Sequence, residues 1–112
     1  MILSDADIIL ALQGNGISIY PWIPEALQPA SVDVHLGDTF LVYKTNTVPL
    51  IDPLTDDQAD YVRTLHVEDG ADFYLYPGQF VLGTTIETVR LDARYVGSVM
   101  GRSSLGRLGL IV

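Results

Sequence analysis

Residues 28–37 read QPASVDVHLG and contain the strand on which the fold prediction rests. Over residues 31–36, apolar and polar side chains alternate strictly, a period of two that is typical of a strand with one buried face. We therefore predict a strand at residues 31–36. Its core-facing side chains are predicted to be Val32, Val34 and Leu36.

Further short strands are predicted on both sides of this segment, with turns between them. They cover residues 17–20, 39–43, 65–68, 73–76 and 79–87, and residues 92–99 lead to another. Turns are predicted at residues 37–38 and 77–78, where glycine follows or precedes a turn-forming residue. Short strands separated by turns roughly every 8–12 residues predict a mainly β fold, either a barrel or a sandwich.

One helix is predicted, over residues 4–14. Ser4 is suited to cap its N-terminus, and Asp7 three residues later completes a variant of the capping box. Glycine and asparagine at residues 14–16 predict its end, because both tolerate left-handed backbone angles. The side chains predicted to form its buried stripe are Ile8, Ile9 and Leu12.

The composition predicts one small packed domain over residues 1–112. Hydrophobic residues make up 48% of the chain and charged residues only 18%, so we expect a partner chain or a further segment of its own chain to cover some apolar surface. The chain has no cysteine, which excludes disulfides and thiolate metal sites within it. It shows neither a signal peptide nor a run of about 18 apolar residues, and we expect a cytoplasmic protein.

The charge is unevenly distributed along the chain. The net charge of −8 argues against general binding to nucleic acid or to anionic membranes. Thirteen of the fourteen acidic residues lie in residues 1–89, whereas residues 90–112 hold four of the six basic ones, all arginines. This arrangement suits either a site for a small anionic ligand or a solvated basic strand edge.

Several titratable residues are predicted to have no role in chemistry. Asp56 and Asp57 are interpreted as solvated surface, because no other metal ligand clusters near them in the sequence. His35 and His66 are isolated in the sequence and are interpreted as structural or surface residues. Asp33, within the predicted core strand, is expected to make local hydrogen bonds.

Residues 101–109, GRSSLGRLG, are the segment most suggestive of chemistry. Polyphosphate recognition uses guanidinium groups, hydroxyl donors and backbone N–H groups in a tight turn, and this segment supplies all three. We call residues 101–109 the arginine turn. The alternative is a polar turn with a helix cap at Ser103 or Ser104, and residue types do not choose between the two.

The arginine turn also resembles a known family. GRSSLGRLGL, residues 101–110, is similar to the signature of dCTP deaminases and is related to the phosphate-binding motif of trimeric dUTPases. Other matches occur in the same order as in that family. They are MILSDAD (residues 1–7), QPASVDVHLG (residues 28–37), Ile51-Asp52, FYLYPGQFVLGTT (residues 73–85) and Glu87.

The resemblance implies a distorted dUTPase-like β-barrel or jelly roll with one short N-terminal helix, of which about half is present here. It implies a homotrimer with active sites at subunit boundaries. The implied reaction is hydrolytic deamination of dCTP to dUTP and ammonia, which serves thymidylate synthesis. The implied metal is Mg²⁺, bound through the nucleotide triphosphate, and no catalytic zinc is expected.

The resemblance also implies roles for single residues. Ser103 is implied to position the attacking water near the base, and Leu105 and Gly106 to shape the turn. The residues implied to contact the triphosphate, with backbone N–H groups of the turn, are Arg102, Ser103, Ser104 and Arg107.

The chain departs from the family pattern at its end. In the family a histidine and the general-base glutamate follow the position of Val112, so we expect a domain truncated at its C-terminus that shows no turnover in isolation. The apolar residues 108–112 are expected to be a strand left with an unpaired edge. Two alternatives remain open: a bifunctional enzyme that forms dUMP and pyrophosphate, and a non-catalytic nucleotide-binding or assembly fragment.

Overall fold

A computed structural model describes residues 1–44, 52, 54 and 61–112. Contacts divide the chain into two compact units. The first consists of Met1–Val32 with Thr88–Val112, and the second of Asp33–Glu87. The single domain predicted over residues 1–112 stays a prediction.

The first unit begins with helix α1, Asp5–Gln13. The backbone N–H of Asp7 donates to Ser4 Oγ at 3.2 Å, and the backbone N–H of Ser4 donates to Asp7 Oδ2 at 3.3 Å. This reciprocal pair is a capping box, which satisfies N–H groups that the first helical turn leaves without a carbonyl partner. The predicted helix and its cap are confirmed.

The buried stripe of α1 is narrower than predicted. Ile8 and Ala11 are buried, whereas Leu12 is only half-buried and Ile9 is exposed. Two buried positions three residues apart suffice because the main packing partner of α1 is one short strand, Ile17–Tyr20. The prediction of Ile9 and Leu12 as buried residues was therefore wrong.

Helix α1 ends in a Schellman motif. The N–H of Gly16 donates to Ala11 O at 2.9 Å, and the N–H of Asn15 donates to Leu12 O at 3.2 Å. Asn15 occupies the left-handed position of this motif, with φ 57°. The predicted end at residues 14–16 is confirmed, with asparagine taking the left-handed angle.

The strands of the first unit form two small antiparallel pairs. Strand β1, Ile17–Tyr20, pairs with β7, Thr88–Leu91, and β2, Leu27–Gln28, pairs with β3, Ser31–Val32. Pro24–Ala26 forms a short 3₁₀ helix before β2. The prediction at residues 17–20 is confirmed. No strand follows Leu91 in the described residues, so the strands expected after residues 92–99 and at residues 108–112 were wrong.

The predicted core strand at residues 31–36 is interrupted. Strand β3 ends at Val32 and the next strand begins at Leu36, while Val34 is 42% and Leu36 64% exposed. Alternating polarity places the apolar side chains on one side of a strand, but they are buried only where another part of the fold packs against that side. The backbone of His35 is bonded to Glu87 and Ile86 instead of to a strand partner. The prediction of Val34 and Leu36 as core residues was wrong.

The second unit contains a three-stranded antiparallel sheet in the order β5-β4-β6. Its strands are β4, Leu36–Tyr43; β5, Val62–His66; and β6, Val81–Thr85. Among the described residues of this unit, the buried apolar ones are Phe40, Val42 and Tyr61. Phe40 stacks on Phe73 with ring centroids 4.2 Å apart. The predicted turn at residues 37–38 lies inside β4, where the pairing with β6 shifts register between Leu36 and Phe40.

Other predictions for this unit are partly confirmed. The strand at residues 39–43 is present, the one predicted at 65–68 is found at Val62–His66, and the one predicted at 79–87 is shorter. Residues 73–76 are not a strand, so this prediction was wrong; the ring of Phe73 stacks on that of Phe40. The turn at residues 77–78 is confirmed. Asp56 and Asp57 lie outside the described residues.

The mainly β class with one principal helix is confirmed. Every described strand pairs antiparallel, as expected for part of a dUTPase-like barrel. No described helix has the length and apolar character needed to cross a membrane.

Candidate functional site

The arginine turn is built on a single turn of helix. Helix α2 spans Ser103–Gly106 and Arg102 is its N-cap residue. The carbonyl of Arg102 accepts the N–H groups of Leu105 and Gly106, both at 3.0 Å. The two serines thus lie inside the helix, so the alternative in which Ser103 or Ser104 caps it is wrong.

This geometry leaves the predicted site residues accessible. Arg102, both serines, Leu105, Gly106 and Arg107 are all exposed. The first N–H groups of any α-helix have no carbonyl partner within the helix, and here they lie between the two arginines in sequence. Hydroxyls, helix N–H groups and guanidinium groups therefore come from one short exposed segment. This combination suits the recognition of a phosphate chain.

The four arginines of residues 90–112 all belong to the first unit, but they are not equivalent. Arg90 lies on β7. Arg94 Nη2 lies 2.6 Å from Asp92 Oδ2, and hydrogen bonds from the Arg94 side chain and backbone lower the pKa of Asp92. The charge of Arg94 is therefore offset locally by Asp92.

A broad cavity in the second unit is less suited to an anion. It has a volume of about 620 Å³, and Phe40 and Phe73 line part of it. Asp38, Glu68 and Asp69 also line it. These carboxylates would repel a triphosphate. The arginine turn is therefore the better candidate site for a nucleotide.

The sequence interpretation missed one pair, formed by a buried carboxylate and an exposed histidine. Glu87 is only 6% exposed, and it accepts hydrogen bonds from the His35 backbone N–H at 2.8 Å and contacts His35 Nδ1 at 2.6 Å. His35 is structural, as predicted, but it is not isolated. No sequence signal could have paired two residues 52 positions apart. His66 Nε2 lies 3.6 Å from Asp38 Oδ2 on the surface.

These histidine contacts bear on metal binding. Each histidine faces a single carboxylate. Within residues 1–44, 52, 54 and 61–112, no group of three or more potential metal ligands comes together. The described part of the chain therefore offers no assembled donor set for a zinc ion.

Comparison with known proteins gives the family context of this geometry. The family model of the dCTP deaminase-like domain matches residues 2–112. The chain is 48% identical to a "dCTP deaminase, dUMP-forming" of Dictyoglomus turgidum and 49% identical to one of Halobacterium salinarum, each over 100% of this chain and 59% of the relative. It is 44% identical to a "dCTP deaminase" of Halorubrum lacusprofundi, over 100% of this chain and 57% of the relative.

The chain thus spans a little under three fifths of the length of these curated relatives. The family match covers nearly every residue and includes the arginine turn. The chain belongs to the dCTP deaminase-like family.

Proposed function

We propose that the complete protein catalyses the hydrolytic deamination of dCTP to dUTP and ammonia. The observation that carries this proposal is the exposed arginine turn in a chain of the dCTP deaminase-like family. The relatives' names provide the substrate, and the turn provides groups that suit its triphosphate.

Binding is proposed to be divided among the residues of the turn. Arg102 and Arg107 hold the triphosphate through their guanidinium groups, and Ser103 and Ser104 donate hydroxyl hydrogen bonds. The substrate is the magnesium complex of dCTP, in which the nucleotide and water hold most of the ion's coordination sites. Leu105 and Gly106 shape the backbone between the two arginines.

The proposed chemistry replaces the exocyclic amine of cytosine by oxygen. A water molecule adds to C4 of the base, the amine takes up a proton, and the C4–N bond breaks to release ammonia. Ser103 is proposed to position this water. The homotrimer with shared active sites, the general-base glutamate after Val112 and the cytoplasmic location remain predictions.

The first prediction tests the arginines in the complete protein. Arg102→Ala and Arg107→Ala should each weaken the binding of magnesium dCTP by about 10-fold to 100-fold, because a charge-assisted hydrogen bond contributes roughly 1.5–3 kcal/mol. Arg→Lys should restore only part of the affinity, since an ammonium lacks the planar fork. The measurement is isothermal titration calorimetry beside a thermal melt.

The matched control is Arg63→Ala, because Arg63 is an exposed arginine on β5 in the second unit. It should leave dCTP affinity unchanged. Wild-type affinity in both Arg102→Ala and Arg107→Ala would remove the phosphate assignment and with it the proposed function.

A second candidate function is favoured by the names of the relatives. Those of Dictyoglomus turgidum and Halobacterium salinarum are described as dUMP-forming. A bifunctional enzyme would also hydrolyse the phosphate chain and yield dUMP and pyrophosphate. A product assay decides: ammonia with dUTP supports the first function, whereas ammonia with dUMP and pyrophosphate supports the second.

The second prediction concerns metals. Zinc deaminases generate hydroxide on a zinc ion held by histidine and cysteine, and this chain has no cysteine and two histidines. We expect active protein to contain no stoichiometric zinc by elemental analysis. Activity should survive a zinc-selective chelator when Mg²⁺ is supplied. Stoichiometric zinc whose removal abolishes activity would contradict this expectation.

A further inference from the structure

The arginine turn is closed by a defined backbone motif. The N–H of Gly109 donates to Gly106 O at 3.0 Å, and the N–H of Leu110 donates to Leu105 O at 3.2 Å. These two bonds form a Schellman motif with Gly109 in its left-handed position, at φ 90°. The chain therefore reverses two residues after Arg107, and this reversal depends on the backbone angle of Gly109.

The same motif occurs at the end of α1, where Asn15 takes the left-handed position at φ 57°. Asparagine tolerates this region better than other residues with a side chain. The chain itself therefore contains both residue types that the motif accepts. A substitution by asparagine at position 109 should preserve the motif, whereas alanine should not.

The reversal also determines what lies beside the start of the turn. A Cβ atom added to Gly101 would lie 3.3 Å from Val112 Cβ and 3.5 Å from Val112 N. Residue 112 thus packs against the residue that precedes Arg102. Gly106 differs, because a Cβ atom added there meets nothing within 4 Å. The backbone angle of Gly109 therefore affects both ends of the segment that carries the two arginines: the chain reversal after Arg107 and the contact of Val112 with Gly101.

We propose that Gly109 is a positioning residue for nucleotide binding, an inference that rests on the proposed function of the arginine turn. Gly109 acts through the backbone, since it has no side chain to reach a ligand. It keeps Arg107 and Arg102 in the arrangement that accepts a triphosphate. A residue with a side chain is disfavoured at this φ, so other conformations of the turn become populated. The apparent affinity for the nucleotide then falls in proportion to the fraction of protein that keeps the binding conformation.

The experiment compares Gly109→Ala, Gly109→Asn and Gly78→Ala in the complete protein, using calorimetric binding of magnesium dCTP and thermal melts. Gly109→Ala should weaken binding about 10-fold, which corresponds to the usual cost of a left-handed L-residue. Gly109→Asn should bind within about 3-fold of the wild type. Gly78→Ala is the matched control, because Gly78 also has a left-handed φ, 77°, but lies in the second unit, and it should bind as the wild type does.

A purely structural role for Gly109 would lower the melting temperature and leave the affinity of the folded protein unchanged. That result overturns the inference, and so does an Asn variant that binds as weakly as the Ala variant. If Gly109→Ala does not fold, Gly101→Ala tests the other end and should weaken binding about 3-fold through its contact with Val112. Wild-type affinity in that variant would likewise overturn the inference. Failure of the proposed function shows separately, as unchanged affinity in Arg102→Ala and Arg107→Ala.

Discussion

At the scale of single residues, Glu87 is the one charged side chain that is buried in the described part of the chain. Its pKa lies below the ordinary value because of the hydrogen bond from the His35 ring and then that from the His35 backbone, while desolvation acts in the opposite direction. The N–H of Ile86 also donates to His35 O at 2.9 Å. This set of bonds fastens the start of β4 to the residues that follow β6.

The pH dependence of stability follows from the lowered pKa of Glu87. The unfolded chain takes up a proton near the ordinary value of 4.5, and the folded chain does so only at lower pH. The stabilisation is therefore complete above about pH 4.5 and is lost as the pH falls through the folded-state pKa. We expect the melting temperature below pH 4.5 to fall more steeply in the wild type than in Glu87→Gln.

Glu87→Gln should also lower the melting temperature at pH 7, on the order of 5 °C, because the single amide oxygen can accept only one of the two hydrogen bonds from His35 and the NH₂ group cannot accept the other. Calorimetric melts between pH 3 and pH 7 measure both effects. Glu68→Gln, at an exposed glutamate, is the control and should keep the wild-type slope. If the melting temperature of Glu87→Gln fell with pH as steeply as that of the wild type, a stabilising role of the Glu87–His35 pair would be refuted.

At the scale of elements, α1 and the arginine turn end alike but begin differently. Ser4 caps α1 through its side chain, whereas Arg102 makes no side-chain capping bond to α2. A helix of nine residues gains little stability from length and depends on its caps and its packing. Helix α1 is therefore expected to be sensitive to a change at its N-cap residue, Ser4.

Ser4→Ala should destabilise the protein by about 1 kcal/mol, because it removes the hydroxyl that accepts the N–H of Asp7. Chemical denaturation followed by circular dichroism measures the free energy of unfolding. Ser98→Ala is the control, since Ser98 is exposed and lies outside helices and strands, and it should change stability by less than about 0.5 kcal/mol. Equal stability of the two variants would exclude a contribution from the capping box.

At the scale of the whole molecule, the low fraction of charged residues agrees with the exposure of large apolar side chains on the surface. Large apolar side chains are exposed in both units. In the first unit the most exposed after residue 90 are Val96, Val99, Met100, Leu108, Ile111 and Val112. Exposed apolar side chains in this number favour association with other chains.

We therefore expect the purified 112-residue chain to associate in solution. Its mass by multi-angle light scattering should exceed the 12.3 kDa of a monomer. The double variant Val96→Ser with Val99→Ser should reduce association, because both side chains are more than 80% exposed and lie outside the arginine turn. A monodisperse wild-type monomer at micromolar concentration would contradict the expectation.

Features that depend on neighbours in the sequence could be predicted. The capping box joins Ser4 to Asp7, the Schellman motif closes within residues 11–16, and the arginine turn is contained in nine residues. Each is set by short-range hydrogen bonding and backbone angles, which residue types control directly. The family resemblance also rests on local segments in a fixed order, and the family match confirmed it.

Features that need a distant partner could not be predicted. The break at residues 33–35 and the exposure of Val34 follow from which segments pair with β3 and β4. The partnership of His35 with Glu87 arises only when the chain brings residues 52 positions apart together. Alternating polarity specifies the two sides of a strand, but which side is buried is decided by the layer that folds against it.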